Sequence, residues 1–179
     1  LSALGDIVHA MVVLQFIKKF NSEISIDWIV EESYKDLLEF HSDINKVHVV
    51  NLRQSKEKKS LLAVLKQLKM LRKLGAYDLV IDMQGLIKSA VISKLIPSKQ
   101  TLGFDKFSIR ERVASVFYDK TLNYAYHNNI IERNTALIEF ALGISISKNE
   151  IQEKLSFLHP RFQKLDLNIS STKNNVILI

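Results

Sequence analysis

The segment Tyr77-Asp78-Leu79-Val80-Ile81-Asp82-Met83 is apolar apart from two aspartates, and it runs almost directly into a helical pattern, Leu86 to Ile96, that Pro97 stops. A short run that is apolar on both faces belongs in a parallel sheet covered on both sides. That leaves few folds, because parallel strands need crossover connections, usually helices. The rest of the chain supplies them. Ile7 to Phe20 predicts a helix with an apolar stripe at Val8, Met11, Val12 and Leu14, and Asp6 is its expected N-cap. Ile24 to Val30 alternates and then turns apolar, as a strand entering a sheet does. A short helix at Tyr34 to Phe40 and a strand at Val47 to Leu52 follow.

Ser60 to Leu74 reads as a helix with core positions Leu61, Val64, Leu65, Leu68 and Leu71, ended by Gly75. Thr101 to Phe104 is a short strand, and Asn129 to Leu142 a helix ended by Gly143. Strands alternating with helices predict a doubly wound α/β domain. A helix beginning near Asp6 also implies a strand ahead of Leu1. The polar stretch 168–175 reads as a linker, and Val176-Ile177-Leu178-Ile179 as the opening strand of a further domain.

Composition narrows the function. No cysteine occurs in the 179 residues, which removes disulfides and thiolate metal sites. The five histidines (His9, His41, His48, His127, His159) have no metal-ligand spacing, so no metal site is expected. No Gly-x-Gly-x-x-Gly or Walker A pattern is present. No apolar run reaches the roughly 18–20 residues that span a bilayer. Basic residues exceed acidic ones by 25 to 19, and the excess is local. Arg53 to Lys73 holds eight basic residues and one acid, Glu57, while the remainder has 17 basic and 18 acidic. Such a surface suits an anionic ligand or membrane. Aromatics are 8% and do not interleave with the basic residues, so nucleic acid is not the expected partner.

Four segments could carry chemistry. Ligands of open α/β sheets bind beyond the carboxyl ends of the strands. Ser2-Ala3-Leu4-Gly5-Asp6 is expected there: Gly5 would let a substrate approach closely, and Asp6 could serve as general base or as an ordinary cap. Arg53 to Lys59 could bind phosphates or carboxylates, or form a solvated face with the helix that follows. Gln84 and Lys88, four apart at the strand-to-helix junction, could share a face toward the cleft, or belong to a plain turn with a surface lysine. Arg110 and Arg112 offer two guanidiniums, or a surface ion-pair cluster.

In order along the chain, these segments resemble the ADP-heptose glycosyltransferase family. Leu4-Gly5-Asp6-Ile7-Val8-His9 is similar to its opening Leu-Gly-Asp-x-x-His, and Asp27-Trp28-Ile29-Val30-Glu31-Glu32 to its Asp-Trp-Val-Val-Glu-Glu strand. Tyr77 to Ala90 resembles the pattern of the type I heptosyltransferases more than the type II. Arg110-Glu111-Arg112-Val113-Ala114-Ser115-Val116-Phe117-Tyr118 resembles Arg-Glu-Pro-Leu-Ala-Ser-x-Phe-Tyr, with Glu132-Arg133 at the expected distance. Three positions depart from the pattern. Arg53-Gln54-Ser55-Lys56-Glu57 stands where Arg-Arg-x-Arg-Lys is common, Arg112 replaces a proline, and Asn129 replaces a histidine.

The resemblance implies a GT-B architecture of two Rossmann-like domains. Residues 1–167 would form the N-terminal, acceptor-binding domain without its first strand, 168–175 the linker, and 176–179 the start of the nucleotide-sugar domain. The implied reaction is an inverting transfer of L-glycero-D-manno-heptose from ADP-heptose to Kdo of Kdo-lipid A, in lipopolysaccharide core synthesis. It needs no metal or cofactor. The implied setting is the cytoplasmic face of the anionic inner membrane of a Gram-negative bacterium. Asp6 would be the catalytic base. Ser2, Leu4, Gly5, Arg53, Lys56, Gln84, Lys88, Arg110 and Arg133 would bind substrate. Two alternatives remain: the same fold acting on another acceptor, and a non-catalytic anion-binding α/β module.

Overall fold

The computed structural model describes residues 4–52 and 61–156. Helices α1 (Leu4–Met11) and α2 (Val13–Phe20) lead into strand β1 (Asp27–Glu31). A 3-10 turn at Glu32–Tyr34 and the short α3 (Lys35–Leu38) precede β2 (Lys46–Val50). Then come α4 (Leu61–Leu71), β3 (Tyr77–Ile81), α5 (Ile87–Leu95) and β4 (Ser98–Phe104). A 3-10 segment at Arg112–Phe117, β5 (Lys120–Leu122), α6 (Ile130–Leu142) and α7 (Lys148–Gln152) complete the described elements. No helix among the described residues is long and apolar enough to cross a membrane.

Every described strand pair is parallel. β1 pairs with β2, and β4 lies between β3 and β5. The predicted parallel α/β class is therefore present, but the sheet is in two parts. A cleft of about 1100 Å³ separates them, lined along one side by Ile24 to Val30 and along the other by Ala76 to Met83. Ile7, Val13 and Ile17 of the first two helices, Ile92 of α5 and Ile138 of α6 also line it.

Apolar spacing explains which faces are buried. Ile7, Met11 and Leu14 pack with Val30 and Leu38, while Val13 and Ile17 pack with Ile138 of α6. One apolar face of the helical pair thus covers β1 and the other holds α6 in place. Phe104, Ala90, Ile109, Ala114, Tyr118 and Leu137 form a separate core over β4. Helix α6 begins where Asn129 accepts a hydrogen bond from the Ile131 amide (2.8 Å) and ends at Gly143, whose φ of 66° is left-handed.

Several expectations shift. The helix predicted from Ile7 is already formed at Leu4, the first described residue, so Asp6 lies inside it and is not the N-cap. Val12 interrupts it but keeps helical angles (φ −54°, ψ −32°), so the helix path continues. On α4, Leu71 is buried and Val64 and Leu68 are half-buried, but Leu61 and Leu65 are 79% and 60% exposed. The core stripe is narrower than predicted, and α4 ends at Leu71, before Gly75. β4 begins three residues earlier than Thr101. The linker and the strand expected at 168–179 lie outside the described residues.

Candidate functional site

The carboxyl end of β3 turns sharply into α5, and Asp82 makes that turn. It is 4% exposed. Its Oδ1 accepts from the amides of Gln84 (2.9 Å) and Gly85 (3.4 Å), and its Oδ2 accepts from the Tyr118 hydroxyl (2.8 Å). Burial pushes the Asp82 carboxyl up, against bonds from Ser89, the Gln84 amide, Tyr118 and the Gly85 amide that favour its charged form. Burial first, then the neighbouring Asp82 charge, push the Tyr118 hydroxyl far above its ordinary value. The pair is a fixed strut under the loop. Gly85 above it has φ 66°, and a Cβ there would lie 2.3 Å from Ile109 Cγ2. Only glycine fits both the backbone and the space.

The turn brings Gln84 to the cleft, with its Oε1 buried and without a hydrogen-bond partner. Asp6 of α1 and Arg110 of the loop after β4 line the same cleft, both exposed. Arg133 and Asn134 of α6 line it from beneath, at 5% and 1% exposure. Asp6, Gln84, Arg110 and Arg133 are thus four predicted site residues on one cleft. Leu4 and Gly5 are exposed beside Asp6 but do not line it, and Lys88 is exposed on α5, away from it. Of the alternatives weighed for Lys88, the surface lysine fits the structure. Ser2, Arg53 and Lys56 lie outside the described residues.

Arg133 also holds the protein together. Its Nη1 donates to the Tyr126 carbonyl (2.8 Å) and its Nη2 to the Ser108 carbonyl (2.6 Å). Its guanidinium lies 4.7 Å from the Phe104 ring centroid and 4.8 Å from that of Tyr126. These bonds use two of the five N–H donors of the guanidinium, and Nε is buried without a hydrogen-bond partner.

A second polar cluster sits at the amino ends of β1 and β3. Asp27 Oδ2 accepts from Tyr77 Oη (2.7 Å) and lies 3.0 Å from His48 Nε2, and Asp27 Oδ1 accepts from Asn45 Nδ2 (2.8 Å). Burial alone would raise the Asp27 carboxyl; bonds from Asn45, Tyr77 and His48 outweigh it and hold it below the usual range. Tyr77 is pushed up to about 12, by burial and then by Asp27. A hydroxyl raised in this way is a poor nucleophile. The cluster ties the two parts of the sheet together at the end away from Asp82. Among the described residues, no group of three or more His, Asp or Glu is placed to hold a metal ion.

A profile of glycosyltransferase family 9 (heptosyltransferase) matches residues 64–179. The chain belongs to glycosyltransferase family 9. It is 34% identical over 183 residues to "Lipopolysaccharide heptosyltransferase 1" of Campylobacter coli, covering 99% of this chain and 52% of that relative. Family 9 structures share its fold. "E. coli heptosyltransferase WaaC with ADP" superposes with a TM-score of 0.75 at 29% identity, covering 82% of this chain and 47% of that one. The same enzyme "with ADP-2-deoxy-2-fluoro heptose" also gives 0.75, covering 82% and 48%. The chain spans about half the length of the curated family 9 relatives it matches. The Rossmann-like α/β half of a GT-B glycosyltransferase, expected from the motifs, is the fold observed.

Asp82 was not among the predicted site residues, although it stands in the segment that carried the resemblance. An aspartate inside an otherwise apolar strand was the available signal, because a buried carboxylate must find donors.

Proposed function

We propose that the whole protein moves heptose from ADP-heptose to a Kdo residue of Kdo-lipid A, and that this chain is its acceptor side. The observation that carries this is that Asp6, Gln84 and Arg110 all line one cleft, Gln84 from the turn at the carboxyl end of β3 and Arg110 from the loop after β4. In this reading Asp6 takes the proton from the attacking Kdo hydroxyl. The hydroxyl oxygen bonds to the anomeric carbon of the heptose as the bond from that carbon to the diphosphate breaks. ADP leaves on the opposite face, so the anomeric centre inverts. Arg110 supplies a cation for an acceptor carboxylate, as do Arg53 and Lys56 by sequence position. No step calls for a metal ion.

The acceptor is anchored in a bilayer, and α4 suits contact with one. Leu61, Leu62 and Leu65 are exposed at 79%, 81% and 60% beside exposed Lys66, Lys69, Arg72 and Lys73, and α4 contains no acid. This supports a peripheral position on an anionic membrane surface. The deciding experiment incubates the full-length protein with ADP-heptose and Kdo-lipid A. The acceptor is presented either in detergent or in anionic phospholipid vesicles. Gain of one heptosyl mass, with release of ADP, is expected in both, and faster in vesicles. Transfer only to another acceptor would replace the Kdo reading. Salt-sensitive vesicle binding with no transfer would leave an anion-binding module.

The part of the cleft between β1 and β3, lined by Ile24 to Val30 and Ala76 to Ile81, suits one more strand and leaves Asp6, Gln84 and Arg110 at its margin. A parallel strand ahead of α1, seated between β1 and β3, gives the order β2-β1-new-β3-β4-β5, that of a nucleotide-binding α/β sheet. Trp28, the single tryptophan, lines this cleft. Extending the chain at its amino end with five or so consecutive apolar residues should shift Trp28 emission to the blue and raise the melting temperature. Unchanged emission would mean that the space is not a strand seat.

A further inference from the structure

We infer that Arg133 is a positioning residue, which fixes the loop carrying Arg110 and so sets where that cation meets the acceptor. The inference rests on the reading of Arg110 as an acceptor contact. Ser108 is central to the loop. Its amide and hydroxyl donate to Asp105 Oδ1 (2.9 and 2.6 Å), and its hydroxyl oxygen accepts from the Tyr124 amide (2.8 Å). Asp105 Oδ2 accepts from Asn123 Nδ2 (2.7 Å). These bonds join the loop after β4 to the segment after β5, and Glu111 Oε2 accepts from the Ile87 amide (2.7 Å) at the start of α5. Arg133 ties both segments to α6, because its two terminal nitrogens reach Ser108 and Tyr126, one carbonyl in each segment.

The next two residues after Ser108 transmit the constraint. Ile109 is 5% exposed and packs beneath Gly85. Arg110 is exposed on the cleft. The Arg133 fork at Ser108 and the Glu111 bond to Ile87 thus bracket Ile109 and Arg110, and the fork, the buried one of the two, sets the height of the loop under Gly85 and the origin of the Arg110 side chain. A guanidinium suits this position. It is planar, donates along two directions at once, and stacks on the Phe104 and Tyr126 rings. A lysine has one ammonium and cannot hold both carbonyls in that fork geometry.

The test compares Arg133→Lys, Tyr126→Leu, Arg110→Ala and the Arg110→Ala/Arg133→Lys double variant, all in the full-length protein. Tyr126 is 54% exposed, so its leucine variant is expected to fold even where Arg133→Lys does not. Arg133→Lys is expected to raise the acceptor KM about tenfold, with the donor KM and kcat near wild type. The double variant is expected to be no worse than Arg110→Ala, since both act through one contact. Trypsin cleavage after Arg110 is expected to quicken in Arg133→Lys and Tyr126→Leu, a readout that needs no substrate. A purely structural Arg133 would lower the active fraction and leave KM unchanged. The inference is overturned by an unchanged acceptor KM in Arg133→Lys, by effects that multiply in the double variant, or by unchanged cleavage in both single loop variants. If Arg110→Ala leaves the acceptor KM unchanged, the acceptor reading fails by itself, and the cleavage rates still decide whether Arg133 holds the loop.

Discussion

Asp6→Ala in the full-length protein is expected to lower turnover by about 10²–10⁴-fold, the usual worth of a positioned general base. Binding of ADP-heptose should persist. Asp6 is exposed on α1 and lines the cleft, while Ile7, Ala10 and Met11 on the same helix are buried. The helix is held by those apolar residues, so removing one exposed carboxylate should not move it. The melting temperature should stay close to wild type. Had Asp6 been the N-cap, loss of helix stability would confound the result. Its place inside the helix makes the measurement cleaner. Asp6→Asn decides between roles, because it keeps the shape and most hydrogen bonds but cannot accept the proton. Asparagine as slow as alanine supports the base. Asparagine with near-normal kcat would reduce Asp6 to a hydrogen-bonding residue, and near-normal alanine would remove it from the chemistry.

The fold was legible where one residue type has one physical use. Asn129 and Gly143 bracket α6, the first because its side chain caps the opening amides and the second because glycine adopts a left-handed terminus without strain. Pro97 stops α5 because its ring cannot continue a helix. Spacing alone was less reliable. Leu61 and Leu65 share a helical face with the half-buried Val64 and Leu68 and the buried Leu71 in the sequence pattern, yet α4 covers only the narrower part of it. β5, three residues long, is held by pairing with Leu102 to Phe104 and has no local signature to read. α7 did have one: Ser147 and Glu150 form a capping box, with the Ser147 hydroxyl accepting from the Glu150 amide and Glu150 Oε2 accepting from the Ser147 amide.

Of the ten residues the motifs nominated, Asp6, Gln84, Arg110 and Arg133 line one cleft, Leu4, Gly5 and Lys88 do not, and Ser2, Arg53 and Lys56 lie outside the described residues. Nothing in a linear sequence says that Arg133 is committed to two carbonyls brought together by tertiary folding. The strut beneath Gln84 was hidden in the same way, since Asp82 and Tyr118 are 36 residues apart and meet only when β3 and the segment after the second 3-10 turn pack together.

Gly85→Ala is the second substitution expected to have a large effect, and two separable terms make it so. A side chain at φ 66° costs about 1–2 kcal/mol for an L-residue. Forcing a Cβ to 2.3 Å from Ile109 Cγ2 adds overpacking, typically about 1–3 kcal/mol. Gly143 provides the control, because it has the same φ of 66° with nothing within 4 Å of its Cβ position. Gly143→Ala should therefore show the backbone term alone, and the difference between the two denaturation midpoints should isolate the contact with Ile109. Adding Ile109→Ala to Gly85→Ala should recover part of the overpacking and none of the backbone term. Equal destabilisation by Gly85→Ala and Gly143→Ala would refute the contact. The catalytic consequence follows from the same geometry. The amides of Gln84 and Gly85 both donate to Asp82, so a displaced Gly85 shifts Gln84 on the cleft. Turnover should then fall in Gly85→Ala but not in Gly143→Ala. Turnover that is lost in the Gly85→Ala/Ile109→Ala variant even after stability has partly returned would assign the loss to the position of Gln84 and not to unfolding.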